Sequence, residues 1–366
     1  MDYKALMRPG IINTMPYRPG KPIEEVEREL GLSNIVKLAS NENPEPPLPE
    51  VLTAIQGAAQ TLNRYPDGAC FALTKALAEH LKVEPQSLML GNGSNEVIDM
   101  LIRALVSPGE NVVYAHPSFV VYPITCGIHF ECGRAVPLDK HDSHDLPAMA
   151  AAVDDQTKLL FICNPNNPTG TYTTQAELDV LMSQVPEHVM VVLDEAYYEY
   201  VTAQDYPDTL PMLARYPNLI VLRTFSKIHS LAGLRLGYMV GHPDLVAELH
   251  KTREPFNVNS IAQAAAMACI DRWDVVAGRR ERNAEHMASF GQALAGLGFE
   301  VTPSQANFLL VRHAKPAGWL CGELLKKGVI VRPMDRFGLG DGALRISVGL
   351  PQENAACIAA LTEILA

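Results

Sequence analysis

Five short apolar runs, at residues 87–90, 111–114, 158–163, 188–193 and 219–222, alternate with helical stretches through the middle of the chain. Runs this short and this apolar are buried strands. With helices between most of them, the natural assembly is a parallel sheet covered on both faces, joined by right-handed crossovers. The flanks differ. Residues 1–45 are rich in Pro, Gly and Asn and show little periodicity apart from the helix-like PIEEVERELG at 22–31. They form an arm that packs on something else. NENPEPPLPEVLTAIQ (41–56) is a Pro-rich loop leading into a helix with proline in its first turn. A long helical region at 261–294 carries the chain away from the sheet. Beyond it, GFEVTPSQANFLLVR, KKGVIVRPM and GALRISVGL predict three short strands, and a last helix starts at Pro351. The expected fold is α/β, a large domain with a mainly parallel sheet between helices, plus a smaller α+β domain. The expected division is an arm at 1–45 packing on the small domain or a partner, a large domain at 46–265 and a small one at 266–366.

Three of the central runs end on polar groups. The run at 158–163 meets NPNNPTG (164–170), that at 188–193 meets DEAYY (194–198), and that at 219–222 leads to TFSKIHSLAGLRLGY (224–238). Ligands of open α/β sheets sit at the carboxyl ends of the strands, so the three clusters should converge there. Taken singly, each has an ordinary explanation: a turn for NPTG, a helix cap for Asp194, a surface lysine in a serine-rich loop for Lys227. Together they describe a site. A lysine just past a strand end, partly desolvated, loses its proton more easily and becomes a nucleophile toward a carbonyl. Thr224, Ser226 and Arg235 offer two hydroxyls and a guanidinium, which suit a phosphate dianion. A carbonyl and a phosphate on one small molecule describe pyridoxal phosphate. Asp194 would keep its pyridine nitrogen protonated, so that the ring accepts electrons from a bond broken at the substrate. Asn167 and Tyr197 would donate hydrogen bonds to its phenolic oxygen, though either suits a turn or a half-buried core equally.

Upstream, LMLGNGSNEVIDMLIRAL (88–105) is a strand, a Gly-rich turn and an amphipathic helix. Gly91 and Gly93 let the backbone approach an anion, Ser94 or Asn95 is expected to cap the helix, and its first N–H groups suit a phosphate. GNGSNE lacks the third glycine of a dinucleotide fingerprint and no GK[ST] follows it. Phe119, in HPSFVVY, is placed to stack on a flat ring or to fill the core.

The net charge of −11 argues against nucleic acid or an anionic membrane as partner, so an anionic substrate needs a local cluster of positive charge. The start, MDYKALMRPG, has no apolar signal segment and no later run approaches a membrane span. The seven cysteines are scattered without a CxxC pair. Reduced, mostly buried thiols in a cytoplasmic protein are expected, with no metal site.

These residues together resemble the fold-type I pyridoxal-phosphate enzymes and, within them, the histidinol-phosphate aminotransferases. The similarity runs over nearly the whole chain, through PYRPGKPIEEVERELG, LASNENP, GNGSNEVID, NPNNPTG, DEAYYEY, TFSKIHSLAGLRLGY, ANFLLVR, GVIVRP and LRISVG in succession. The resemblance implies that Lys227 bonds to the cofactor's aldehyde and shuttles the proton at the substrate's α-carbon. It implies that Asp194 pairs the ring nitrogen, that Asn167 and Tyr197 hold the phenolic oxygen, and that Thr224, Ser226, Arg235 and the backbone at Gly93, Ser94 and Asn95 hold the phosphate. It also implies a homodimer in which Tyr65, of NRYPDG, reaches the partner's cofactor phosphate. Arg345 matches the arginine that takes an amino acid's α-carboxylate. Arg332, with Tyr17 of the arm, matches positions holding the substrate's phosphate, although a surface strand arginine explains Arg332 as well. Asn41, in LASNENP, joins these as a substrate-site residue. Phe119 and Ser118 stand where relatives often have tyrosine and threonine.

The expected activity is transfer of an amino group from glutamate to imidazole-acetol phosphate, giving L-histidinol phosphate in histidine biosynthesis. Alternatives on the same fold are an aromatic amino-acid aminotransferase and a phosphothreonine decarboxylase. A non-catalytic binding protein of this fold is expected to carry an attached DNA-binding domain, and a nucleotide-binding oxidoreductase to bind a dinucleotide tightly.

Overall fold

The computed structural model describes residues 1–17 and 20–366. Arg18 and Pro19, in the PYRPG part of the arm motif, lie outside the described residues. The strands in chain order are β1 (Val36–Lys37), β2 (Leu88–Gly91), β3 (Asn111–His116), β4 (Gly133–Pro137), β5 (Thr157–Cys163), β6 (Met190–Asp194), β7 (Leu219–Thr224), β8 (Gly237–Val240), β9 (Glu300–Val301), β10 (Phe308–Arg312), β11 (Val329–Ile330), β12 (Arg332–Pro333) and β13 (Ala343–Ser347). Seven of them make the large sheet, in the order β2-β8-β7-β6-β5-β3-β4. Only β8 runs against its neighbours; the other pairs are parallel. The five expected runs are β2, β3, β5, β6 and β7. The apolar-run reading omits β4, a largely exposed edge strand, and β8, whose GYMV sits at the end of the lysine stretch.

The central strands are apolar throughout because both faces are covered. Leu159, Phe161 and Cys163 of β5 pack, with Val192 of β6 and Leu222 of β7, on Val97, Ile98 and Leu101 of the helix Ser94–Leu105. The intervening Leu160 and Ile162, with Val191 and Leu193, face Leu178 and Leu181 of the helix Gln175–Gln184. Each such fully buried side chain stabilises the fold by ~1.5–3 kcal/mol.

The helical region expected at 261–294 is two helices, Ser260–Asp271 and Asp274–Gly296. Two different cores explain the break. The first helix buries Ala262, Ala265 and Ala266 with Leu73 and Leu77 of the helix Phe71–Leu81, whereas the second puts Phe290 and Leu294 into the core beneath β10 and β13. At Arg272 the backbone leaves helical geometry (φ −119°, ψ 34°) and lets the chain turn between them.

The C-terminal strands form an antiparallel sheet in the order β12-β13-β10-β9. The run KKGVIVRPM, expected as one strand, is shared between two sheets. Val329 and Ile330 pair in parallel with Val36 and Lys37 of the arm, while Arg332 and Pro333 pair with β13. The arm is thereby fixed to this part of the chain by backbone hydrogen bonds as well as by Val26 and Ala39 against Ile330.

In the large sheet, Cys163 stands opposite Asp194, Asp194 opposite Leu222, and Thr224 and Gly91 both opposite Gly237. The carboxyl ends of β2, β5, β6 and β7 are level, and the loops that leave them meet above one edge.

Candidate active site

At that edge lies a cleft of about 420 Å³, a size suited to a small ligand. Asp194, the last residue of β6, forms its floor and is 1% exposed. One carboxylate oxygen, Oδ2, accepts a hydrogen bond of 2.7 Å from the hydroxyl of Tyr122. The other, Oδ1, is buried without a hydrogen-bond partner. Burial raises the Asp194 pKa to about 6, against the opposing pull of Tyr122, the Ala196 N–H and Lys227. A buried carboxylate oxygen with no donor is costly unless something positively charged faces it.

Lys227 enters the same cleft from the loop after β7. Its Nζ donates to the carbonyl of Asn41 at 3.2 Å and lies 5.4 Å from the centre of the Tyr197 ring. Burial, and then the charge of Arg345, lower its pKa to about 8. Roughly a tenth of this amine is therefore unprotonated at pH 7, far more than of an ordinary lysine, and the neutral form is the one that attacks a carbonyl.

The wall opposite is a polar network centred on Asn41, which is buried at φ 53°. Its N–H donates to Ser347 Oγ (2.8 Å), its Nδ2 to the Tyr197 hydroxyl (3.0 Å), and its carbonyl accepts from both Lys227 and Asn307. Because the Tyr197 oxygen accepts from Asn41, its own proton remains to be donated into the cleft. Arg345 donates to Asn167 Oδ1 (2.6 Å) and to the Ala39 carbonyl (2.7 Å), leaving the Asn167 amide free to donate elsewhere. The Arg345 Nε is buried without a hydrogen-bond partner. Burial lowers its pKa, which favours an anion beside it.

The far end of the cleft is built from backbone. The helix cap is Gly93, at φ 79°, and not Ser94 or Asn95, which are the first helical residues. Glycine prevails here because the turn must fold tightly against the sheet and Arg235. A Cβ on Gly93 would sit 2.7 Å from an Arg235 nitrogen, and one on Gly237 2.3 Å from the Ser94 nitrogen. The turn is braced from within, since Glu96 Oε2 accepts from the N–H of Asn92 and from Asn257 Nδ2, both at 2.6 Å. Ser94, Asn95, Ser226 and Arg235 thus surround the start of a helix, an arrangement that suits an anion. The Thr224 hydroxyl also lines this end but is engaged, donating to the Leu236 carbonyl and accepting from the Ser226 N–H.

Phe119 and Tyr17 complete the cleft from the opposite side. Ser118 does not face it, donating instead to Asn166 Oδ1 at 2.7 Å. Two candidates stand apart. Tyr65 is 81% exposed and stacks on Phe256, 4.6 Å between ring centroids. Arg332 lines a neighbouring, larger cavity of about 820 Å³, with Tyr17 shared between the two. Arg332 is the cross-strand neighbour of Arg345 and lies 6.0 Å from the Tyr17 ring. The larger cavity contains neither Lys227 nor Asp194, so the chemistry belongs to the smaller one. Sequence reasoning gave no role to Tyr122, Ser347 or Asn307. Tyr122 lies three residues after Phe119, and a polar aromatic in an otherwise apolar helical turn is the only signal it offers.

The sequence matches the family of class I and II aminotransferases over residues 33–361, and the chain belongs to that family. It is 47% identical to histidinol-phosphate aminotransferase 2 of Pseudomonas fluorescens, over 100% of this chain and 99% of that protein. Histidinol-phosphate aminotransferase 1 of Nitrosococcus oceani is likewise 47% identical, over 99% and 98% of the two chains. Among solved structures, the histidinol-phosphate aminotransferase of Sinorhizobium meliloti in complex with pyridoxal-5′-phosphate superposes with a TM-score of 0.88, at 29% identity, over 98% of this chain and 97% of that one.

Proposed function

We propose that the protein is a pyridoxal-phosphate-dependent aminotransferase that exchanges an amino group between glutamate and imidazole-acetol phosphate, producing L-histidinol phosphate. The observation that carries the proposal is the pairing of a buried lysine, whose proton is held more loosely than usual, with a buried carboxylate oxygen that has no donor, across one cleft. Those groups, with the Gly93 and Ser94 helix start at the far end, fit a ring with a basic nitrogen, an aldehyde and a phosphate. The names of the full-length relatives support the substrate.

When bound, pyridoxal phosphate supplies an aldehyde that accepts and returns the amino group and a protonated ring that takes up electrons. The chain's own residues do the rest. Asp194 Oδ1 would hold the proton on the ring nitrogen. Tyr197 and the Asn167 amide would donate to the phenolic oxygen. Ser94, Asn95, Ser226 and Arg235 would hold the phosphate, with Thr224 joining if its hydroxyl exchanges the Leu236 carbonyl for a phosphate oxygen. Phe119 would lie against the ring. Lys227 Nζ would serve as the base that takes the proton from the substrate's α-carbon and as the acid that returns it on the other side of the transferred nitrogen. Arg345 would bind the α-carboxylate of glutamate. Arg332 in the neighbouring cavity, with Tyr17 shared between the two, would bind the phosphate of the other substrate, and Asn41 would align Tyr197 and Lys227. Two arginines directly opposite across a strand pair repel, and an anionic substrate between them relieves that cost.

A homodimer belongs to the same proposal, with Tyr65 reaching the partner's cofactor phosphate. Its support is the exposure of Tyr65, Phe71 (71%) and Leu62 (56%) on one chain. We also infer the expected division, an arm at 1–45 and domains at 46–265 and 266–366, although the helix Ser260–Asp271 spans the second boundary. A cytoplasmic location is supported by seven free thiols, six of them buried. No helix among the described residues is long and apolar enough to cross a membrane.

The test is a substrate panel with glutamate as donor. Turnover of imidazole-acetol phosphate well above that of phenylpyruvate is expected. Preference for phenylpyruvate, or carbon dioxide release from phosphothreonine, would overturn the substrate assignment.

A further inference from the structure

The hydroxyl of Tyr122 is its only polar group beyond the backbone, and the side chain is entirely buried. That hydroxyl reaches Asp194 Oδ2 at 2.7 Å. The ring is held from three sides. It stacks on Phe161 of β5 (4.7 Å, 20°), meets Phe119 edge-on (5.7 Å, 87°) and tilts against Tyr114 of β3 (6.2 Å, 48°). A phenol clamped in this way has no rotamer that breaks the bond without opening the core. Since one oxygen of Asp194 is tied to Tyr122, the carboxylate plane is fixed and the unpartnered Oδ1 is the oxygen left to face the cleft.

We propose that Tyr122 is a positioning residue of the reaction, whose buried hydroxyl fixes Asp194 so that Oδ1 addresses the ring nitrogen of the cofactor. The inference rests on the cofactor reading given above. The other groups that face Asp194 are the Cys163 thiol on β5, the backbone N–H of Ala196, Tyr197, and Lys227 from the loop after β7. Burial holds the Cys163 thiol neutral, and Lys227 changes its role when the cofactor is bound, so Tyr122 is the one side-chain donor constant through the cycle. Its own ionisation is pushed far upward by burial and by the adjacent carboxylate, so it acts only as a donor. A donor to the ionised form favours that form, and its loss should let Asp194 take up a proton at higher pH.

The experiment compares wild type, Tyr122→Phe and Tyr114→Phe, each loaded with pyridoxal phosphate. It follows the visible absorbance of the bound cofactor and kcat and KM against pH. For Tyr122→Phe, the acid-side inflection of both profiles should move up by roughly one pH unit. At pH 7, kcat should fall by about ten-fold, the worth of one charge-assisted hydrogen bond, with KM changed less than about two-fold. Tyr114→Phe removes a hydroxyl from the same aromatic cluster without touching Asp194, and should leave the inflection in place. A purely structural role would lower the melting temperature of both variants and move neither profile. If Tyr122→Phe is not recovered folded, 3-fluorotyrosine placed at position 122 keeps the ring's shape, strengthens the donor, and should move the inflection down. An unmoved inflection in either substitution at 122, or an equal shift in Tyr114→Phe, overturns the inference. Wild type that takes up no pyridoxal phosphate instead overturns the cofactor reading itself, a result distinguishable from an unshifted variant.

Discussion

Glu195 and Arg223 form an ion pair immediately behind the site, with side chains 0% and 4% exposed. Glu195 Oε2 accepts from Arg223 Nε at 2.9 Å and from the Thr209 hydroxyl at 3.1 Å, and Arg223 NH2 lies 2.9 Å from the same oxygen. The guanidinium also lies 3.5 Å over the Tyr198 ring. Burial pushes the Glu195 carboxyl above its ordinary pKa even though Arg223 pulls it down. Against its own burial, the Arg223 guanidinium is nonetheless held above its ordinary pKa by Glu195 and its anionic neighbours, so desolvation offsets much of the attraction and the pair contributes little net stability. Removing one member is a different matter. In Glu195→Leu, Arg223 keeps its buried charge without its paired carboxylate, with the Tyr198 face and the more distant Glu199 and Tyr238 left to meet it, at a cost of ~3–5 kcal/mol, and Arg223→Met should cost about the same. Replacing both removes the uncompensated charge. What is then lost is the contact with Tyr198 and the acceptor for Thr209, together ~2 kcal/mol. The double variant should thus be more stable than either single one, with a coupling of at least ~3 kcal/mol. Urea unfolding of the cofactor-free protein, followed by fluorescence and circular dichroism, measures all four corners of the cycle. A double variant as unstable as the sum of the singles would refute the desolvation argument.

Two other predictions concern the cleft itself. Because burial lowers the Lys227 pKa to about 8, the unfolded chain binds a proton that the folded chain lacks between there and the ordinary lysine value near ~10.4. The stability of the cofactor-free protein should therefore rise with pH across that window, the penalty being complete below it. Lys227→Met should abolish turnover yet stabilise the cofactor-free protein by ~2–3 kcal/mol at pH 7, and by almost nothing near pH 11; melting curves at both pH values decide this. Gly237→Ala puts a Cβ 2.3 Å from the Ser94 nitrogen, against the backbone of the Gly93–Ser94 peptide, where no flexible side-chain end can yield. It should cost ~1–3 kcal/mol and weaken pyridoxal phosphate binding in equilibrium dialysis, whereas unchanged affinity would mean that the Gly93–Ser94 turn does not hold the phosphate.

What was legible in the chain was what repeats locally. The apolar runs of β5, β6 and β7 announce strands covered on both faces, and parallel strands bring their carboxyl ends level, so the pattern of the chain alone brings Asn167, Asp194 and Lys227 together. What was not legible depends on contacts between distant segments. β8 escaped notice because four residues following a loop carry too little pattern, and β11 and β12 merged because the sequence GVIVRP does not reveal that its two halves pair with different partners. Helix capping failed at Gly93 for a similar reason: side-chain preference favours serine, but the approach of Gly237 and Arg235 leaves room only for hydrogen.

Asn41 depends most on contacts between distant segments. It lies 156 residues from Tyr197, 186 from Lys227 and 306 from Ser347, and it bonds to all three. Its left-handed backbone, tolerated by asparagine more readily than by most residues, turns its carbonyl to Lys227 while its side chain holds Tyr197. The arm strand β1, paired with β11 a few residues before it, delivers Asn41 to that position. The alignment of Lys227 and Tyr197 is therefore coupled to the docking of the arm on the C-terminal part of the chain. Shifting β1 against β11 would misalign the lysine without altering any residue of the large sheet.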